Sequence, residues 1–282
     1  MNSKKLFKKS INDIAKLMSV ESKVNMVGSA SVKKAIYYGD YDLFEKVEGH
    51  SKSSVYAHFK SLFYHINKLP KIVITDFKIG EKRWSYTDIM NKEKDGLDFD
   101  DALDIKGIIK LDIIALINDK FYEITEVYQM CFNGKCNIEY KKDEIIKDLV
   151  GEYRIKINEG NYMKALKKMY SIIKLQNMND PQLTILLEYF NSSIGLLYRN
   201  KSELETLLIV LNNDKFTLED VKNSLESIKE QVSSFPQVPN YLEEIIKKKT
   251  KKEMTKLLNK QIYDISGFLN RDAKRFIQEK RL

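Results

Sequence analysis

Turn-forming residues are scarce in this chain, with four prolines and eleven glycines in 282 residues. That excludes a fold of many short strands joined by tight turns and favours helix. Cysteine is rarer still. Two cysteines cannot build a disulfide scaffold, and with three histidines far away in sequence they are too few for a zinc site. Cys131 and Cys136 flank FNGK, whose Asn133-Gly134 is a two-residue hairpin signal, so the pair is expected to sit opposite each other across two strands. In a reducing cytosol they are expected as free thiols. No apolar run approaches the length of a membrane span. The opening MNSKKLFKKSINDIAKLM has lysines but no apolar h-region, so no signal peptide is read and a cytoplasmic location is expected.

Charged residues make up 31% and the apolar set 43%, as in a soluble globular protein. The length permits one or two domains. The net charge of +8 is unevenly placed. From Lys247 to Leu282 there are twelve Lys/Arg against four Asp/Glu, so this segment alone carries +8 and the remainder is neutral. Lys247, Lys248, Lys251 and Lys252 lead that segment and are candidates for contact with nucleic acid. The bland reading is a solvated helical face.

The densest chemistry lies near the start. An apolar run reaches Val27-Gly28-Ser29, and Gly39-Asp40-Tyr41-Asp42-Leu43-Phe44 follows ten residues later. Residues two apart on a strand share a face, so Asp40 and Asp42 project together. Adjacent carboxylates repel unless cations lie between them, and divalent ions there can also hold a triphosphate. Gly28 lets the backbone approach phosphate oxygens, and Ser29 can donate to them. A third acid, Asp112, stands amid GIIKLDIIALI, read as a buried strand. Burying it is costly unless it is paired or binds a cation. Lys110, two residues back, supplies the plain ion-pair alternative. The acidic DGLDFDDALD at 95–104 is a rival, read as a loop and short helix with solvated acids. Glu123 and Glu126 fall on opposite faces of a strand at 121–130, so at most one of them looks into the site.

VGSASVKKAIYYGDYDLFE together with IKLDIIAL resembles the DNA polymerase β-like nucleotidyltransferase superfamily, which includes poly(A) polymerases, CCA-adding enzymes and antibiotic nucleotidyltransferases. Within it the chain looks most like the short nucleotidyltransferases of large cytoplasmic DNA viruses. The resemblance covers roughly the first 130 residues. It implies that Gly28 and Ser29 form the phosphate-binding turn and that Asp40, Asp42 and Asp112 are the catalytic, metal-binding triad. Many members carry a second Gly and an Arg after Gly-Ser. This chain has SVKKA there, so Lys33 or Lys34 is expected to replace the Arg, and the sequence leaves open which one. The implied cofactor is Mg²⁺ or Mn²⁺. The implied reaction moves a nucleoside monophosphate from a triphosphate, ATP by preference, to an acceptor hydroxyl with loss of pyrophosphate. An RNA 3′ end, extended without a template, is the favoured acceptor. The alternatives are a toxin-like or regulatory enzyme modifying a tRNA or protein, and a non-catalytic nucleic-acid-binding subunit that keeps the fold.

The expected fold class is α+β. Residues 1–141 form a small mixed β-sheet catalytic domain with helices on one face, and 142–282 form an α-helical domain with the basic C-terminal segment. Helices are predicted at 4–19, 29–37 and 53–69, and strands at 22–27, 40–47, 71–79 and around Asp112. Beyond Lys142 the apolar spacing predicts helices at 142–158, 161–176, 181–199, 201–212, 217–233, 240–260 and 262–280. His58 and His65 share a face of the 53–69 helix, and surface or half-buried packing is the better reading. Trp84 is read as capping the core in preference to stacking a base with Arg83, and Lys78 is a further phosphate candidate.

Overall fold

The computed structural model describes residues 25–27, 41–49, 51–106, 108–117, 119–132, 135–136, 141–232 and 237–280. The Gly28-Ser29 turn, Lys33, Lys34, Asp40 and the helices expected at 4–19 and 29–37 lie outside them. In chain order the first elements are β1 (Asn25–Val27), β2 (Tyr41–Gly49), α1 (Lys52–Lys68), β3 (Ile72–Ile79), β4 (Lys82–Arg83), α2 (Tyr86–Asn91), β5 (Glu93–Lys94), β6 (Leu97–Asp98), α3 (Phe99–Lys106), β7 (Ile108–Ile117), β8 (Lys120–Phe132) and β9 (Lys135–Cys136). The helices α4 (Lys142–Asn158), α5 (Tyr162–Gln176), α6 (Pro181–Asn191), α7 (Ser193–Leu211), α8 (Leu218–Gln231), α9 (Gln237–Ile246) and α10 (Lys251–Lys280) follow. Two compact units result. One holds these strands, α1–α3 and a short returning segment, Asp214–Phe216; the other holds α4–α10.

In the first unit a mixed sheet runs β1-β2-β8-β7-β3-β4, with β9 also paired to β8. Among the described strands of this sheet, only β2 and β8 are parallel neighbours; the remaining pairs are antiparallel. One face is apolar. Ile109, Leu111 and Ile113 of β7, Tyr128 of β8 and Phe77 and Ile79 of β3 are buried there. Helix α1 covers this face with Val55, Phe59, Leu62, Phe63 and Ile66, the three-to-four spacing of one helical stripe. Phe63 meets Phe77 edge-on at 4.6 Å, and Phe59 meets Tyr128 at 5.0 Å. Each such ring contributes about 1.5–3 kcal/mol by burial alone.

Ser51 and Ser54 close α1 at its start with a reciprocal capping box. Pro70 ends it by forcing the preceding Leu69 into extended backbone. That leaves carbonyls at the helix end, and Lys215 meets them. Its Nζ donates to the carbonyl oxygens of Ile66 (3.0 Å), Leu69 (3.2 Å) and Ile72 (2.9 Å). Burial pushes the Lys215 ammonium below its ordinary pKa. Phe216 packs edge-on against Phe121 at 5.1 Å, so the returning segment is held by both charge and packing.

Cys131 and Cys136 are cross-strand partners, as the hairpin signal requires. Cys131 is disulfide-bonded, and the chain has one other cysteine, Cys136. The expectation of free thiols is therefore overturned. A cross-strand pair separates its Cα atoms by about 4.5–5.5 Å, within the span that a disulfide bridges.

In the helical unit, α10 buries Met254, Leu258, Gln261, Ile265, Leu269 and Ala273 along one stripe, against α5, α7 and α9. Tyr189 of α6 donates to Asp272 of α10 at 2.9 Å, and Arg275 holds the other carboxylate oxygen at 2.7 Å. Two helix boundaries differ from expectation. The break expected at residue 200 falls at Ser192, whose hydroxyl accepts from the Ile194 amide, and Gly195 lets α7 turn against α6. A Cβ there would lie 1.8 Å from the Phe190 carbonyl oxygen. The break expected at residue 261 falls at 247–250, where Thr250 caps α10 by accepting from the Glu253 amide. Thr250 and Glu253 have the S/T-x-x-E spacing of a helix start.

Two stability predictions follow from α1. Lys215→Met keeps an apolar stem but removes the donor to three carbonyls. It should lower stability by about 2–4 kcal/mol, read as a lower urea midpoint at unchanged slope. His58 is half-buried beside Phe59, while His65 is exposed. Burial lowers the His58 pKa from 6.5. Its contribution is therefore present above 6.5 and lost as the pH falls through its folded value, because the unfolded chain takes the proton first. Wild type should lose stability as the pH falls below 6.5, and His58→Phe should lose measurably less.

Candidate active site

On the sheet face away from α1, register lines up the acids. Residues directly opposite on paired strands share a face, and one row reads Asp42 (β2), Thr125 (β8), Asp112 (β7), Asp76 (β3). Asp42 enters through its backbone position. Two residues along the strands, the next row holds Val127, Lys110, Lys78 and, on β4, Arg83. The alternation that buries Leu111 and Ile109 on one side thus sends Asp112 and Lys110 to the other.

Asp112 is held at both carboxylate oxygens. The Thr125 hydroxyl donates to Oδ1, and the Lys110 ammonium lies 3.1 Å from Oδ2. Thr75 sits at an irregularity in the β3–β7 register and donates to the Asp112 backbone carbonyl at 3.2 Å. Asp76 is the direct neighbour of Asp112, and two like charges opposite each other are destabilising. Arg83 relieves this with a two-pronged contact on Asp76, Nε at 2.7 Å and Nη2 at 3.2 Å, and Lys78 adds a third at 3.3 Å. Lys78 and Arg83 are therefore engaged with a carboxylate. Trp84 is 3% exposed and meets Phe99 edge-on, so it caps the core and is no stacking platform.

A depression of about 240 Å³ lies over this row, lined by Thr75, Lys110, Asp112, Ile113, Glu123, Ile124 and Thr125. Glu123 is the acid that sequence reasoning left undecided. It lies two residues from Thr125, on the strand paired directly with β2. Glu126 faces the other way: it is fully buried on the α1 side and accepts from the Tyr128 hydroxyl at 2.8 Å.

Strand spacing ranks the two acids. Neighbouring strands are about 4.8 Å apart, so a β8 residue is one step from β2 and Asp112 is two steps, roughly 10 Å, away. One cation can join side chains of adjacent strands. Reaching Asp112 from β2 as well takes two ions about 3.5–4 Å apart. The donors are carboxylate oxygens, which suits Mg²⁺ or Mn²⁺. Among the described residues no three His, Cys, Asp or Glu are grouped closely enough to hold an ion by themselves. The Asp-x-Asp strand would have to complete the set.

The lysines expected to meet nucleic acid lie around the α9–α10 corner, in the helical unit. Lys247 and Lys252 are exposed, Lys251 is half-buried and Lys248 lies 3.8 Å from Glu244. Lys247 and Lys248 directly follow α9, where unpaired carbonyls favour cations. No described helix is long and apolar enough to cross a membrane.

No known family profile matches the chain. Among curated proteins, the uncharacterized protein V21 of Sputnik virophage is 26% identical over 163 residues, which cover 50% of this chain and 37% of that protein. The match thus spans little more than a third of the relative. Among solved structures, one described as a new nucleotidyl transferase encoded by a Megaviridae ORFan gene superposes with a TM-score of 0.77 at 12% identity, covering 99% of this chain and 92% of its own. The M. chilensis Mg662 protein, complexed with GTP, superposes at 0.76 with 11% identity, covering 98% and 93%. Over nearly its whole length, this α+β chain has the fold of a Megaviridae nucleotidyl transferase.

Proposed function

We propose that the chain is a metal-dependent nucleotidyltransferase. An acceptor hydroxyl attacks the α-phosphorus of a nucleoside triphosphate, the bond to the β-phosphate oxygen breaks and pyrophosphate leaves. The observation that carries the reading is the acid row on the sheet face away from α1, Asp42 and Asp112 with Thr125 between them and Glu123 beside it. The fold shared with Megaviridae nucleotidyl transferases supports it.

Asp40 and Asp42, joined by Glu123 and Asp112, are the residues that would hold the cations. Bound there, Mg²⁺ or Mn²⁺ supplies charge to the leaving pyrophosphate and lowers the pKa of the attacking hydroxyl. Asp112, held by Thr125 and Lys110, would accept the acceptor's proton. Gly28, Ser29 and Lys33 or Lys34 are assigned to the triphosphate by their motif. ATP is the nucleotide that the motif resemblance favours, and GTP is the one held by the Mg662 protein. The basic C-terminal segment supports an RNA 3′ end as acceptor, extended without a template, with Lys247, Lys248, Lys251 and Lys252 nearby in sequence.

The test is transfer of label from each of the four triphosphates, with Mg²⁺ or Mn²⁺, to an RNA primer, a tRNA and a protein acceptor. Asp42→Asn should abolish transfer while leaving the fold intact. Glu123→Gln and Asp112→Asn should each lower kcat at least about 100-fold, and Thr125→Val much less. A full rate in Glu123→Gln would return the third place to Asp112 alone. Addition of one residue to tRNA or protein only would mark a toxin-like enzyme. Triphosphate binding without transfer to any acceptor would mark a non-catalytic subunit.

A further inference from the structure

The outward face of α10 carries a continuous stripe. Lys252, Lys256, Lys260, Tyr263, Gly267, Arg271 and Lys274 follow one another at spacings of three or four, so they share one side of the helix. The five cations are all exposed. The stripe runs about 33 Å, from the 1.5 Å rise per residue. The helix's acids stand to its sides. Asp272 is taken by Tyr189 and Arg275, and Glu253 by Thr250. Glu279 lies 3.9 Å from Arg275, and Asp264 sits at the stripe's edge.

Amid these cations Tyr263 is 79% exposed, the most exposed of the large hydrophobic side chains among the described residues. Gly267, one turn on, presents no side chain, and the Arg271 guanidinium lies over it, 3.5 Å from where a Cβ would be. Bare helix surface is thus flanked by an open phenol ring on one side and a planar cation on the other. Neighbouring helices add two more rings, each under a lysine. Lys260 stands 5.8 Å above Tyr241 of α9, and Lys274 stands 5.5 Å above Tyr162 of α5.

We propose that this face binds a single-stranded nucleic acid, with the cations on its phosphates and Tyr263 stacked on an unpaired base. Charge selects a polyanion. The open ring selects one whose bases are free to stack, because duplex bases offer only their edges. A lipid surface fits poorly, since the helix's apolar side is already buried in its own unit and the exposed side has no apolar stripe to insert. The strand is the acceptor class for the proposed transfer, and in that sense the inference rests on that reading. The binding surface itself is defined without it.

The experiment measures anisotropy of labelled 15-mers, oligouridylate and oligothymidylate, with the full chain in the absence of triphosphate, from 50 to 300 mM salt. A blunt duplex of equal length and anionic vesicles are the competing arms. Single strands should bind with a log–log salt slope of about −3 to −4, roughly 0.7 for each of five phosphates. Each Lys→Ala change at 256, 260 or 274 should reduce that slope by roughly 0.7. Tyr263→Ala should weaken binding at least about fivefold at unchanged slope, while Tyr263→Phe, which keeps the ring, should bind as wild type. The RNA and DNA arms show which strand supplies the bases. Equal binding of the duplex, preference for vesicles, or no effect of Tyr263→Ala would each overturn the proposal. Asp42→Asn should bind the strand normally, and the α10 variants should keep triphosphate binding. Failure of the transfer reading is thereby separated from failure of this one.

Discussion

The parallel pairing of β2 with β8 is the constraint on which the candidate site depends. Side chains alternate along a strand, so a slip of one residue would send Thr125 and Glu123 to the face opposite Asp42. The site therefore needs a register fixed by something outside itself. That something is the other face of the same sheet. Tyr128 of β8 and Phe77 of β3 meet the aromatic rings of α1, and Leu111 and Ile109 of β7 are buried on the same face, so the facing of β8, β7 and β3 is tied to that packing and β2 takes its place by pairing with β8. The acids need no mutual attraction to assemble; the packing beneath holds them in line.

Holding acids in line has a cost, and the next row of the sheet offsets it. Asp76 and Asp112 are direct neighbours, with side chains only 14% and 22% exposed. Lys78 and Arg83 balance the first and Lys110 the second, all from positions two residues along the strands or on the adjoining β4. The two balances differ in kind. Asp76 accepts a hydrogen bond from the planar Arg83 guanidinium at Oδ2, lies in ion-pair contact with it at Oδ1, and has Lys78 as a second cation. Asp112 has a hydroxyl and a single flexible ammonium, which can move away when another cation arrives. That difference marks Asp112 as the adaptable acid and Asp76 as the structural one.

Local signals in the sequence carried much of this architecture. Alternation located β7 and put Asp112 at its middle. The three-to-four apolar spacing of α1 was legible, and so were its end at Pro70 and the hairpin that sets Cys131 against Cys136. What could not be read was pairing between distant strands. Nothing local says that β8, and not β7, lies beside β2, so the sequence reading names Asp112 as the third acid and leaves Glu123 undecided. Nor does any periodicity reveal that Asp76 faces Asp112 or that Lys215 returns to the end of α1. These contacts join residues far apart in sequence. The two misplaced helix breaks are different, since Thr250…Glu253 and Ser192 with Gly195 were local signals outweighed by continuous apolar spacing.

The lysines of the C-terminal segment divide by the same physical test. A cation at the end of a helix is favoured by the carbonyls exposed there, so Lys247 and Lys248 have a local reason to follow α9. A cation in the first turns of a helix is opposed by the unpaired amides, at about 0.3–1 kcal/mol each. Lys251 and Lys252 stand in the first turn of α10, where the Thr250 cap and the buried stripe from Met254 onward must outweigh them. Their charge gains nothing from the helix dipole. The cations at 256, 260, 271 and 274 lie beyond that turn and face outward with Tyr263, so the outward side of α10, and not the α9 corner, is where the proposed acceptor strand should be sought.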